Sequence, residues 1–425
     1  MIGTLTGSLL GLLFFAVPVG FALGIATLLV ILQQGVFPAE VIVQRAISGV
    51  GSFPMLALPL FVLVGYLMEH GSTHRLMRFA NAVLGRLPGG MAAAEVSASA
   101  MFGAVSGSGI AAIAAIGSVF GPELVRQRYP KGFIVSLIAA AGGLGVLIPP
   151  SVPLIIYGLI GNVSIGGLFF GTIIPGLLVT FLIAAFAMGL SWHYGFGERR
   201  KAPAGELWSS FVSAIPPLML PVVVMGGIFS GLFTATESAA LGVLLAMVLA
   251  SVVYGELTWA RFYDALVKTA LMSGAILIVL AMSASFAWLV TVSQFPELVA
   301  TWLKGISDSA IVVFIIIQVI ILVLGIVLEA LPIIVITTPV FLPVVSAMGI
   351  DPIVYGIVLT LNCVIAGMSP PVAVSIYVSA RLVNAKPSEA NKWLLIFIMP
   401  LVLVGIVCMM VPDIVLYLPR VLGSI

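Results

Sequence analysis

Two regions of this 425-residue chain bring hydroxyl-bearing and helix-breaking residues together inside apolar runs. In the first, Ser106 and Ser108 flank Gly107, and a following segment supplies Gly142, Gly143, Gly145, Ile148, Pro149 and Pro150. In the second, Gly325 and Glu329 precede Pro332, and Asn362, Gly367, Met368, Ser369, Pro370 and Pro371 follow. Proline lacks a backbone donor and clashes with the preceding turn, so a Pro-Pro pair cannot sit inside a regular helix. Carbonyls freed in hydrocarbon are tolerated only where they face protein or a watery cavity. The three glycines at 142, 143 and 145 allow unusual backbone angles. Several hydroxyl and carbonyl oxygens converging in a dry site would replace the hydration shell of Na⁺. Close packing of helices favours serine and glycine as well. The recurrence of the pattern in both halves favours the cation.

Glu329 lies deep in an apolar run. An ionisable group inside a membrane is functional by default. A carboxylate can equally cap a half-helix N-terminus, gaining about 0.3–1 kcal/mol, and the sequence leaves both readings open. Glu95 begins the first interrupted run and is expected near the membrane interface. Glu237 follows Thr234 at capping-box spacing. An enzyme is not expected. His70, His74 and His193 lie at or beyond the ends of apolar runs, so nothing at membrane depth would activate Ser108 as a nucleophile. No Gly-x-x-x-x-Gly-Lys-Ser/Thr sequence occurs, which excludes ATP hydrolysis through a P-loop. Cys363 and Cys408 both sit in apolar runs, so neither a disulfide framework nor a metal site is expected.

Membrane helices must position these residues. The chain is 62% hydrophobic and 8% charged, with a mean hydropathy of +1.29, whereas soluble domains carry about 25% charged residues. A net charge of +2 offers no surface for nucleic acid. The 45 Gly and 26 Pro predict kinks and close helix contacts. With about 20 apolar residues per crossing, spans are expected at 5–33, 52–69, 133–160, 166–192, 211–230, 234–254, 272–292, 353–380 and 393–418. The interrupted runs 91–120 and 309–348 read as two crossings each or as re-entrant hairpins. The first run is too long for a signal peptide and lacks a basic start.

Of the 17 basic residues, 14 fall in segments on one side and only Arg45, Lys304 and Arg420 on the other. The positive-inside bias makes the first side cytoplasmic and puts the C-terminus outside. Thr73–Leu84 and Thr258–Ala270 read as interfacial helices on the inner leaflet or as ordinary loop helices, and His193–Gly205 as a hinge. Segments 38–195 and 258–418 repeat one order of loop, span, basic segment, hairpin, broken span and span. Pro149-Pro150 matches Pro370-Pro371, and Ser108 matches Glu329, at one common offset of 221 residues. The extra span at 211–230 inverts the second copy. Inverted repeats with interrupted helices are a recurrent transporter plan, with the binding site at the interruptions. The expected fold is an all-α polytopic membrane protein with two re-entrant hairpins and two broken helices. Its first repeat is 1–195, its linker and extra helix 196–230, and its second repeat 231–425.

Four motifs in this order, VSGSGIAAIAAIGSVFGPEL (105–124), GGLGVLIPPSVPLIIYG (142–158), GLFTATESAALG (231–242) and GMSPPVAVSIYVSARL (367–382), resemble the large membrane subunit of tripartite ATP-independent periplasmic (TRAP) transporters. The resemblance runs over essentially the whole chain. It implies an elevator-type transporter of the bacterial inner membrane, driven by Na⁺, importing organic acid anions of the sialic acid or C4-dicarboxylate class. It implies two partners, a small four-helix membrane subunit and a periplasmic substrate-binding protein. The small subunit is expected as a separate chain, since no extra N-terminal spans are present. Residues 91–160 and 309–381 would form the moving transport domain and the rest the scaffold. Carried over by motif, one Na⁺ site uses Ser106, Ser108, Gly143, Gly145, Ile148 and Pro150. The other uses Gly325, Gly367, Met368, Ser369 and Pro371. Ser108, Ser151, Glu329 and Asn362 are the expected substrate contacts. No Arg or Lys lies at membrane depth between the hairpins, so an anion would be held by half-helix dipoles, hydroxyls and bound Na⁺. The alternative is a stand-alone Na⁺ or H⁺ symporter that takes organic anions without a binding protein.

Overall fold

The computed structural model describes residues 1–197, 205–370 and 373–423, apart from the side chain of His70. Pro371 and Arg199, Arg200 and Lys201 of the expected hinge lie outside them. All regular elements among the described residues are helical. The run 5–33 is not one span. It breaks at Ala16–Pro18 into α1 (Ile2–Phe14) and α2 (Val19–Gln34), which pack against each other. Pro18 cannot continue the helix, and at 1.5 Å per residue the two pieces reach only about 20 and 24 Å. α3 (Glu40–Val50) meets the next helix at 64°.

α4 (Ala57–Leu84) and, later, α12 (Trp259–Val292) correct the interfacial-helix expectation. The amphipathic stretches at 73–84 and 258–270 are the end of α4 and the start of α12, continuous with apolar helix. These helices run about 42 and 51 Å, longer than a hydrocarbon core of about 30 Å, so their polar ends extend beyond it.

Between them, α5 (Gly90–Ser106) and α6 (Gly109–Arg126) form the first hairpin. α7 (Lys131–Leu147) and α8 (Val152–Gly161) form the first broken helix, bent by 44°. α9 (Ile165–Tyr194) returns across the body, followed by α10 (Glu206–Phe229) and α11 (Ala235–Val248). The α11 start carries the expected capping box. The Thr234 hydroxyl accepts from the Glu237 N–H at 3.3 Å, and the Glu237 carboxylate accepts from the Thr234 N–H at 2.8 Å.

The second half repeats the order. α13 (Phe295–Ile306), absent from the sequence reading, turns by 117° into α14 (Ala310–Gly325). α14 and α15 (Ala330–Ala347) form the second hairpin, and α16 (Pro352–Met368) and α17 (Val374–Leu382) the second broken helix. The expected span 393–418 divides into α18 (Asn391–Met410) and a separate amphipathic α19 (Asp413–Val421), closed by an Arg420–Asp413 ion pair of 2.6 Å. Pro412 marks the division.

Among the described residues, seven helices are long and apolar enough to cross a bilayer, or up to ten with three bent pairs counted as spans. Helices that are apolar all round belong in the interior. α7 and α16 obey this: every residue of α7 except Lys131 and Val146, and of α16 except Pro352 and Gly367, is buried. The outer helices instead expose large apolar side chains such as Phe181, Val222, Leu244 and Leu271, as a lipid-facing surface requires.

Candidate functional site

The first hairpin turns because α5 ends on Gly107, whose φ of +64° is the left-handed conformation glycine adopts without penalty. Ser108 then caps α6, its hydroxyl accepting from the Ala111 N–H at 3.4 Å. The buried Ser106 hydroxyl accepts from the Ser108 N–H at 3.5 Å. This tip rests on the break between α7 and α8. A Cβ on Gly107 would lie 2.7 Å from the Pro150 carbonyl oxygen, and one on Gly103 would lie 2.5 Å from the Gly145 Cα. The Val152 N–H donates across the seam to the Gly107 carbonyl at 3.4 Å. Carbonyls released by the break are met by hydroxyls: Ser151 donates to Val146, and Thr172 of α9 donates to Leu147 at 3.0 Å. Ser106, Ser108, Gly145, Pro150 and Ser151 thus share one tip-to-break seam. Ile148 precedes the Pro149-Pro150 break and is partly buried.

Gly142, Gly143 and Gly145 do not take unusual backbone angles. All three lie within α7, which stays helical to Leu147. Their role is close approach, which a missing Cβ permits. Gly143 faces away from the first tip: its Cβ would lie 2.2 Å from the Val364 Cγ1 on α16. Gly143 and Val364 stand at corresponding positions of the two halves, 221 residues apart.

The second seam repeats the first with different chemistry. A Cβ on Gly325, at the end of α14, would lie 2.4 Å from the Ala366 Cβ, the counterpart of the Gly103–Gly145 approach. Gly367, Met368 and Ser369 lie at the end of α16, and the Ser369 hydroxyl donates to the Ile365 carbonyl at 2.8 Å. Pro371 cannot be placed here, being outside the described residues. Glu329 occupies the N-cap position of α15, as Ser108 does for α6, but its side chain makes no cap bond and is exposed. In this conformation it is therefore neither a side-chain cap nor a buried carboxylate.

Asn362 is buried and donates to Gln318 of α14 at 2.5 Å. Gln318 escaped the sequence reading, although it is the single polar side chain in AIVVFIIIQVIILVLG. Its own amide nitrogen is buried and has no hydrogen-bond partner. Glu95 has no exposed surface at all. Apart from both seams, a cavity of about 1000 Å³ opens between α4, α6 and α10, lined by His74, Arg75, Arg78, Glu123 and Glu206 among others.

The first seam yields a direct test. Ser108→Leu removes a hydroxyl oxygen and the α6 cap, an interaction worth about 1 kcal/mol. On the expectation that this seam holds Na⁺, the Na⁺ concentration giving half-maximal uptake should rise by about tenfold, the equivalent of about 1.4 kcal/mol. An unchanged Na⁺ response curve would remove Ser108 from the site.

Comparison with known proteins bears on the whole chain. The family described as the tripartite ATP-independent periplasmic transporter, DctM component, matches residues 6–414. The isethionate TRAP transporter permease protein DctMQ of Oleidesulfovibrio alaskensis is 37% identical over 407 residues, 95% of this chain. The chain spans only 64% of that protein's length. The sialic acid TRAP transporter large permease protein SiaM of Vibrio cholerae is 34% identical over 421 residues, covering 99% of this chain and 98% of SiaM. The solved structure of the Alcanivorax borkumensis YdaH transporter superposes with a TM-score of 0.58 over 86% of each chain. At 17% identity that likeness concerns the fold alone.

Proposed function

The chain belongs to the DctM-component family of tripartite ATP-independent periplasmic transporters, a family of multi-pass membrane permeases and not of enzymes, and from that premise we propose that it imports an organic acid anion coupled to Na⁺. The observation that carries this reading is the repeated seam, a hairpin tip seated on a broken helix in each half. One Na⁺ binds at Ser106, Ser108, Gly145, Ile148 and Pro150 with Gly143 behind them, and a second at Gly325, Gly367, Met368, Ser369 and Pro371. The substrate lies between the tips, within reach of Ser108, Ser151, Glu329 and Asn362. Buried hydroxyls and half-helix ends suit an anion where no Arg or Lys reaches. The contact of Gly143 with Val364 supports inverted repeats related through α7 and α16.

In this reading residues 91–160 and 309–381 move as the transport domain against a scaffold, by an elevator motion. The arginine- and lysine-rich ends face the cytoplasm, and the C-terminus faces the periplasm. A small four-helix subunit braces the scaffold and a periplasmic binding protein delivers the substrate. The matched relatives are named for isethionate and for sialic acid, which supports a small organic acid as the cargo. Two Na⁺ with a monoanion carry one net charge inward, gaining about 2.3 kcal/mol per 100 mV. A dianion with two Na⁺ would be neutral, so voltage dependence separates the two cargo classes.

Reconstituted with the small subunit, the chain is expected to take up substrate only with the binding protein present and an inward Na⁺ gradient. Undiminished uptake without either would overturn the proposal, and uptake by this chain alone would favour the stand-alone symporter.

A further inference from the structure

The first hairpin buries a carboxyl that, among the described residues, has no positive charge bonded to it. Glu95 on α5 is 0% exposed. Its Oε1 accepts from the Ser99 hydroxyl, one turn along, at 3.1 Å. Its Oε2 is equally buried and meets no donor. Five helices enclose α5: α4, α6, α7, α9 and α10. α4 carries Tyr66, Glu69, His70, His74, Arg75 and Arg78. α6 carries Glu123 and Arg126, and Tyr129 and Lys131 stand at the start of α7. α9 ends in His193 and Tyr194, and α10 begins with Glu206.

Among the described side chains, none of these groups bonds the Glu95 carboxyl. The nearby cations are engaged elsewhere: Arg75 with the Gly71 carbonyl and the Tyr254 ring, Arg78 with Ser209, Arg126 with Glu123, and Lys131 with the Asn384 carbonyl.

A carboxylate so enclosed costs several kcal/mol of lost hydration, so a buried acid is neutralised by a cation or by a proton. A bound Na⁺ would need several oxygens around it. Among the described residues Ser99 is the one side chain whose oxygen bonds this carboxyl, and the carbonyls of α5 are taken up by its own helical hydrogen bonds. A proton needs one oxygen only, and Oε2 is open to it. We propose that Glu95 is a proton-binding site inside the first hairpin, holding the neutral acid while α5 is packed as here. Ser99 donates to the carbonyl oxygen of that acid, and the proton sits on the other oxygen. The hairpin then carries a titratable group without carrying its charge. The inference rests on the burial of α5 and not on the Na⁺ sites, so either stands without the other.

Infrared spectroscopy of the protein in lipid at neutral pH tests it. A carboxylic-acid C=O band is expected in the wild-type protein, absent in Glu95→Gln and moved to higher frequency in Ser99→Ala, where the donor to that carbonyl is lost. A spectrum with no such band, or a band untouched by Glu95→Gln, means an ionised Glu95 and overturns the proposal. Should Glu95→Gln fail to fold, Ser99→Ala decides alone: an acid band that does not move is not that of Glu95.

Discussion

Substrate uptake by a Gly107→Val variant should fall by about a hundredfold while the protein still inserts and binds its small subunit. Two costs combine at this residue. Its φ of +64° is left-handed, which costs an L-residue roughly 1–2 kcal/mol and a β-branched one more. Its Cβ would also stand 2.7 Å from the Pro150 carbonyl oxygen, and that oxygen is backbone. Relief requires the tip to lift off the break, which moves Ser106 and Ser108 away from Gly145 and Pro150 together. Sites of this kind tolerate displacements of about 0.5 Å, and a misplacement of about 1 Å can cost about a hundredfold in rate. Initial rates in proteoliposomes supplied with binding protein measure the effect. A rate above about one tenth of wild type, a cost below about 1.4 kcal/mol, would show that the seam need not stay closed for transport.

The second large effect concerns stability. Asn362→Leu strands the Gln318 amide, whose nitrogen is already without a partner and whose oxygen would lose its only donor shown. A buried polar group left unsatisfied costs about 1–3 kcal/mol, whereas replacing both partners by apolar groups is nearly neutral. Interhelical hydrogen bonds in membranes average about 0.6 kcal/mol, so the expected loss is about 1–2 kcal/mol, below the top of the soluble range. The Gln318→Leu/Asn362→Leu double variant should recover most of that loss. Thermal unfolding of the four proteins forms the cycle. Losses that simply add would mean that the two amides do not act as a pair.

Legibility in the sequence followed the range of the physics. Proline at 149–150 and 370, glycine at 107 and the Thr234–Glu237 spacing each act on their own turn of backbone, and the breaks, the hairpin tip and the capping box stand where those residues predict. The glycines of α7 were misread because their reason lies elsewhere in the chain. Gly143 is small for Val364 and Gly145 for the Ser108 carbonyl, and no local pattern announces either neighbour. The burial of Glu95 was illegible for the same reason: nothing in its own run announces the five helices that close around it. Gln318 was the reverse case, a visible polar residue in an apolar run whose partner, Asn362, lies 44 residues on. The ends of α4 and α12 looked like surface helices because amphipathicity records what faces water and not where a helix began.

The seams also limit what can change over generations. Gly103, Gly107 and Gly325 each face atoms that a first added carbon would strike, two of them backbone. Drift at these positions is blocked from the smallest step. A lineage acquiring a new nutrient therefore has few routes through these seams. The positions left freer to vary are those bordering them, such as exposed Glu329. A permease built this way diversifies most readily by changing what is handed to it.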